Sequence, residues 1–340
     1  MEMSIILNRK EIWRQRASTP FWAWLLLGLL SLNLAGQEER PEMEKGIAAT
    51  TKGDYALAIA SFSEAIHLNP GNSVAYRLRG AAYLFIGDND KAIADFTQSI
   101  QLDPDNERTF LYRGSSYLAK MDYDAAIKDF TAAIQRKPDD GAAYMARGLA
   151  YFAKKDDEKA TLDFDQTIRF DPHNAEAYND RGLAYEDRGI VDQAIDDCTQ
   201  AIQLNPRYKE AYDTRGEAYA AKGAYGKATA DYEKALQLDP EFVPSYNNLA
   251  WLKATCPLPA FRDGRKAVEV ATKACDLTHW KNQASLDTLA AACAEAGDFD
   301  RAVKLQNQVL ALPGISTKAK ANGTKRLALY QAHQPFHEKY

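Results

Sequence analysis

Pro70, Pro104, Pro138, Pro172, Pro206 and Pro240 are six prolines that follow one another at intervals of 34 residues without a deviation. That interval is the length of a helix–turn–helix hairpin, and such a hairpin cannot bury its apolar face alone, so it must stack on copies of itself. Around each proline one frame returns: Tyr-x-x-Arg-Gly-x-x-Tyr, then Gly-Asp, then Ala-Ile-x-Asp-Phe, then Ala-Ile-x-Leu-Asp-Pro. The expected fold is all-α, a solenoid in which each hairpin touches only its neighbours and the core grows along one axis. A chain of 340 residues built this way escapes the usual division into two or three compact domains.

The unit holding Pro104 shows the local logic. The frame predicts a first helix over about 72–86, a turn at Gly87-Asp88 and a second helix over about 90–102. Asp103-Pro104 ends it, because proline cannot continue the hydrogen-bond ladder and the residue before it avoids the helical region. Tyr76, Gly80 and Tyr83 share one face of the first helix, and Ala92, Phe96 and Ile100 share one face of the second. Gly80 and Ala92 are small enough for the two helices to approach. Phe96 fills the space behind them, as Phe130, Phe164, Cys198 and Tyr232 do in later units.

These residues resemble the tetratricopeptide repeat, in its prokaryotic multi-repeat form with an amino-terminal signal or anchor. Six units fit the pattern, 39–72, 73–106, 107–140, 141–174, 175–208 and 209–242. The first is the weakest, with Glu42 at the aromatic position and Ala49 in place of Tyr. A seventh begins at Val243, and Thr255 to Arg265 lengthen its turn before Ala267 resumes the second helix; an eighth covers about 283–312. Residues 313–340 are then a capping helix, over about 316–332, and a tail. The resemblance implies a right-handed α-solenoid of about eight helix–turn–helix repeats, 39–242 regular and 243–312 divergent. It also implies a non-catalytic scaffold for protein–protein interaction.

One feature goes beyond the generic frame. Arg79, Arg113, Arg147, Arg181 and Arg215 occupy one repeat position; Asp95, Asp129, Asp163, Asp197 and Asp231 stand sixteen residues later. The other repeats lose both together, carrying Lys45 with Ser61, Leu249 with Val270 and Leu289 with Leu305. Residues that come and go as a couple are expected to touch, and a ladder of partly buried ion pairs follows. Solvated residues copied by duplication are the alternative.

In the family resembled, first helices line a concave face, and the second, fifth, ninth, twelfth and thirteenth positions of each unit point into it. Carried onto this sequence, the early repeats offer Arg77, Leu84, Phe85, Leu111, Leu118, Met145, Leu149 and Phe152. The fifth and sixth offer Glu176, Asn179, Glu186, Asp187, Glu210, Asp213 and Glu217; the last two add Asn247, Trp251, Asp287 and Glu295. The expected groove thus passes from apolar to acidic and favours a protein or peptide partner of basic character. A solvated acidic face that confers solubility is the plainer reading. Some chaperone-binding members clamp a peptide carboxylate with Lys and Asn. Here Ala81, Ser115, Leu149, Leu183 and Glu217 fill the ninth positions, which disfavours an acidic-tail chaperone.

Net charge is −5 and no basic stripe runs along the repeats, which argues against nucleic acid. Eighteen tyrosines recur mostly at two repeat positions and read as packing. Residues 1–36 stand apart: Arg9, Lys10, Arg14 and Arg16 precede the apolar run 21–30, the layout of a signal peptide or membrane anchor. Either places the repeats on the non-cytoplasmic side. Gln37 stands where a lipoprotein needs its modified Cys. Membrane contact is expected only through this segment.

No nucleophile elbow, phosphate-binding glycine loop or Cys-x-x-Cys pair is present, so no enzyme, cofactor or metal is expected. His333 and His337 are four apart, but Pro335 separates them and no acidic third ligand is fixed nearby. Cys256 and Cys275 flank the long turn, where a disulfide and two free thiols both fit. A structural component that self-associates through its ends is the second functional reading.

Overall fold

The computed structural model describes residues 38–338. Among these are seventeen α-helices and no strand. In chain order they are α1 (Arg40–Thr51), α2 (Tyr55–Leu68), α3 (Ser73–Phe85), α4 (Asn89–Leu102), α5 (Glu107–Ala119), α6 (Tyr123–Arg136), α7 (Gly141–Ala153), α8 (Asp157–Phe170) and α9 (Ala175–Asp187). Then follow α10 (Val191–Leu204), α11 (Lys209–Ala221), α12 (Tyr225–Leu238), α13 (Val243–Thr255), α14 (Gly264–Leu277), α15 (Gln283–Glu295), α16 (Phe299–Leu310) and α17 (Thr317–Gln331). The signal or anchor segment lies outside the described residues. Among the described residues no helix is long and apolar enough to cross a membrane.

The described residues form two compact units, 38–177 and 178–338, with the boundary inside α9. In the first unit α1 packs on α2, α3 on α4, α5 on α6 and α7 on α8, and each second helix packs on the next first helix. In the second unit α11–α12, α13–α14 and α15–α16 are the packed pairs, and α17 closes on α16. A chain of nearest neighbours of this kind is what a repeated hairpin produces.

Each turn has an identifiable cause. Gly87 ends the α3 turn at φ +80°, and the Asp88 carboxylate then accepts from Lys91 N at 3.3 Å, capping the first turn of α4. Met121 and Lys155 hold the same left-handed position at φ 62° and 66° with full side chains, a backbone choice that glycine makes without cost. Asn72 caps α3 by accepting from Ala75 N at 3.0 Å. The Asp-Pro ending leaves Asp103 at φ −140°, outside the helical region.

The close approach within each of the first six hairpins rests on glycine, which gives way to Ala250 and Ala290 in the last two. A Cβ on Gly148 would lie 2.8 Å from Phe164 Cε1, a distance that no side chain tolerates. Phe96, Phe130 and Phe164 are fully buried against these glycines, and Cys198 and Tyr232 occupy the same place beyond them. In the seventh repeat the long turn is organised by a 3-10 segment, Pro259–Phe261. Phe261 packs on Tyr225 with ring centroids 5.6 Å apart, and Arg262 Nη1 donates to the Cys256 carbonyl at 2.8 Å. Cys256 and Cys275 are both free and buried, so the loop is held by packing and hydrogen bonds rather than by a disulfide. Burial pushes the Cys275 thiol up to about 12 and the Cys293 thiol up to about 11.

Candidate functional site

Arg79, Arg113, Arg147, Arg181 and Arg215 each grip their aspartate through Nε and Nη2, at 2.6 to 2.8 Å. The fork geometry satisfies both carboxylate oxygens at once. The recurring Tyr-x-x-Arg spacing has a cause as well: each guanidinium lies 5.6 to 5.8 Å from the centre of the aromatic ring three residues earlier. A third member joins most rungs. Nη1 donates to Ser63 from Arg79, to Thr97 from Arg113, to Thr131 from Arg147 and to Thr199 from Arg215, at 3.1 to 3.2 Å. Those hydroxyls belong to the preceding hairpin, and each spends its own proton on the carbonyl four residues back. Each such rung therefore ties two helices of one hairpin and the hairpin before it.

The hydrogen bonds they donate to the aspartates hold the Arg79, Arg113, Arg147 and Arg215 guanidinium groups above their ordinary value. At Asp163 burial works in the opposite sense and pushes the carboxyl up, with Arg147 pulling it down less strongly. Burial thus outweighs pairing at that carboxyl.

The face presented by the first helices is more enclosed than an open groove. Arg77, Leu111, Met145, Phe152, Asn179, Glu186, Asp213, Glu217 and Asn247 are each less than a tenth exposed. Successive first helices touch, α3 with α5, α5 with α7 and α11 with α13, so side chains on this side interleave. Phe85 is half-buried and stacks on Tyr55 with ring centroids 5.1 Å apart. Burial holds the Arg77 guanidinium below its usual value, and its neighbour Tyr112 is pushed up for the same reason. Glu176 is exposed, and Asp187 and Glu210 are half-exposed.

In the second unit the acidic residues form a buried cluster. Asp213 and Glu217 lie one turn apart on α11. Ser245 Oγ donates to Asp213 at 2.6 Å, and Asn248 Nδ2 donates to Glu217 at 2.9 Å and to both Asp213 oxygens at 3.3 Å. Desolvation, then the charges of Asp213 and Glu186, hold the Glu217 carboxyl well above the usual carboxylate range; Asn248 opposes this. A pocket beside the cluster is lined by Glu217, Asn248, Trp251, Thr255, Cys256 and Glu338 among others. No group of His, Cys, Asp and Glu suited to a metal ion is found among the described residues.

The remaining groove candidates are covered by the chain's own end. Asp287 is held by Arg326 of α17 at 2.7 and 2.8 Å and by Gln306 at 2.9 Å. Glu295 takes Arg262 on one oxygen at 2.9 Å and His337 on the other at 2.6 Å. His337 therefore has a fixed acidic neighbour, which its place in the sequence beside Pro335 did not show. Trp251 Nε1 donates to Glu338 at 2.9 Å.

With this geometry in hand, the comparisons define the class. Models of the tetratricopeptide repeat match residues 73–106, 111–175, 175–208 and 216–252. The chain carries tetratricopeptide repeats over these segments, and the paired helices described above are their structure. Among solved structures the chain is similar to yeast Tom70, with 18% identity and a TM-score of 0.56 over 89% of this chain and 66% of that one. It is also similar to a chain of the Cut9–Hcn1 hetero-tetramer of the APC/C, with 15% identity and a TM-score of 0.61 over 89% of this chain and 58% of that one. A tetratricopeptide repeat protein from Parabacteroides merdae matches at 18% identity and a TM-score of 0.55, over 87% of this chain and all of the other. These likenesses are likenesses of fold. No curated protein matches the chain.

Proposed function

We propose that the protein is a non-catalytic scaffold that binds a basic peptide or protein segment along the first-helix face of α9, α11 and α13. One observation carries this reading: Glu217 is buried at the edge of a pocket with Asp213 one turn away on α11, where desolvation, then the charges of Asp213 and Glu186, hold its carboxyl above the usual range. A lysine or arginine side chain entering the adjoining pocket relieves that repulsion, because an opposite charge within a few ångströms favours the ionised carboxyl. Half-exposed Asp187 and Glu210 add attraction from outside.

Binding of a cationic side chain then lowers the proton affinity of Glu217. Calorimetric titration with a Lys/Arg-rich peptide in buffers of different ionisation enthalpy measures this directly. We expect binding that weakens with salt and releases protons, with the release lost in Glu217→Gln. Salt-independent binding with no proton release would reject the reading. On the sequence alone, we further propose that residues 1–36 export or anchor the chain; fractionation of cells expressing it with and without those residues tests that.

A further inference from the structure

We propose that the first-helix face of α13 and α15 is a peptide slot that the chain's own Phe336–Glu338 fills in cis, so that a partner segment of like pattern enters only by displacing it. The helix α17 ends at Gln331, where His333 turns the backbone at φ 57° and rests on Phe299. Residues 335–338 have no regular secondary structure and are half-buried. Phe336, His337 and Glu338 are nevertheless each held. Phe336 lies against Trp251 with ring centroids 6.0 Å apart, and Arg326 sits 5.6 and 5.8 Å from the two rings. His337 Nε2 meets Glu295 Oε2 at 2.6 Å. Glu338 accepts from the Trp251 indole at 2.9 Å and donates its backbone N–H to the Thr255 carbonyl at 2.8 Å.

These are the contacts of a bound peptide: an aromatic anchor, a base on a carboxylate, a carboxylate on an indole, and one main-chain bond. Trp251 and Glu295 occupy the repeat positions that face a ligand in the resemblance. Thr255, at the end of α13, supplies a carbonyl that its own helix leaves without a successor. The fitting partner presents an aromatic residue, then histidine or another base, then an acid, in an extended backbone. Because the chain's own copy is tethered through a few residues, its effective concentration is of millimolar order, and it lowers the apparent affinity of an outside peptide about tenfold or more. The slot borders the pocket of the basic-ligand reading and shares Trp251 and Thr255 with it, but it reads a different peptide and is tested without Glu217.

The test uses a labelled peptide copying residues 335–340, Pro-Phe-His-Glu-Lys-Tyr, titrated by fluorescence anisotropy. Three proteins are compared: the full chain, the chain ending at Gln334, and full-length Phe336→Ala/His337→Ala. We expect both opened proteins to bind the peptide and the full chain to bind it at least about tenfold more weakly. A peptide carrying alanine for phenylalanine and histidine should not bind. Equal binding by all three proteins, or none by opened proteins that keep their helicity, overturns the proposal. Loss of helicity in both opened proteins overturns it too, by making the segment a structural part of the fold.

Discussion

Arg147→Leu should be the most damaging single change in the rung it belongs to, and undoing it should require removing Asp163 as well. The arginine side chain is 18% exposed and the aspartate 5%, and two bonds of 2.8 and 2.7 Å join them, with a third at 3.1 Å to Thr131. Taking away the cation leaves a buried carboxylate without its counter-charge, a change that costs about 3–5 kcal/mol where it has been measured. At about 2–4 °C per kcal/mol for chains of this size, Tm falls by roughly 6–20 °C. The double change Arg147→Leu/Asp163→Leu removes both desolvation penalties and lies within about 1 kcal/mol of the parent, or above it. The chain already contains this experiment: Leu249 with Val270 and Leu289 with Leu305 stand at the rung positions of the last two repeats, all four buried in one apolar cluster.

The pH dependence gives a second readout. Burial already pushes the Asp163 carboxyl up, and loss of Arg147 pushes it further. A carboxyl whose folded value is raised binds protons more tightly folded than unfolded, so the penalty is absent below the unfolded value of about 3.9 and grows as pH rises through the folded one. Urea denaturation followed by circular dichroism, at pH 7 and again near pH 4.5, should therefore show the Arg147→Leu deficit shrinking in acid. The double variant should show no such change. A coupling energy below about 0.5 kcal/mol in the double-mutant cycle, with a deficit independent of pH, would refute the buried-pair argument.

Glu217→Gln should stabilise the protein at pH 7 and leave it unchanged near pH 4. The native carboxyl is held well above the usual carboxylate range, so folding loses stability as pH rises past the ordinary glutamate value of about 4.3, and the glutamine escapes the loss while still accepting from Asn248. Parent and variant denaturation curves across this range check it, and parallel pH profiles would contradict it. Lys155→Gly should raise stability by about 1 kcal/mol, since lysine at φ 66° carries the left-handed penalty that Gly87 avoids at the same repeat position. A lower urea midpoint for that variant would show the strain to be negligible.

The repeat period was readable because stacking forces every hairpin to solve one packing problem, and the solution is written once per unit. Gly148 faces Phe164 for the same steric reason that Gly80 faces Phe96. The Arg and Asp positions were readable because both are replaced together in three units of the same chain. Their third partner was missed, although its signal was present: Ser63, Thr97, Thr131 and Thr199 stand two residues after the rung position of the hairpin before each arginine. Depth was not readable. Repeat register says which side of a helix Asp213 or Met145 faces, but the closeness of neighbouring first helices decides whether that side is open. The fold-back of the tail left no trace at all, because the Glu295–His337 and Trp251–Glu338 contacts join residues 42 and 87 apart and occur once. Periodicity cannot report a contact that does not repeat.

The place where the rungs stop is itself informative. Through α3–α12 an arginine fork ties each hairpin internally, and in most rungs it also reaches the hydroxyl of the preceding hairpin. A directional contact of that kind fixes register, which a ridge of alanines and aromatics alone does not. From α13 onward the rung residues turn apolar and merge into one cluster running from Tyr225 to Tyr330. The buried ion pair does not vanish there; it moves, as Asp287 with Arg326, to the contact between α15 and α17. Polar specificity is thus spent between hairpins along the regular repeats and, at the carboxyl end, on seating the cap. Arg326 also braces Trp251 and Phe336, so the pair that positions the cap helix also positions the slot into which the tail falls.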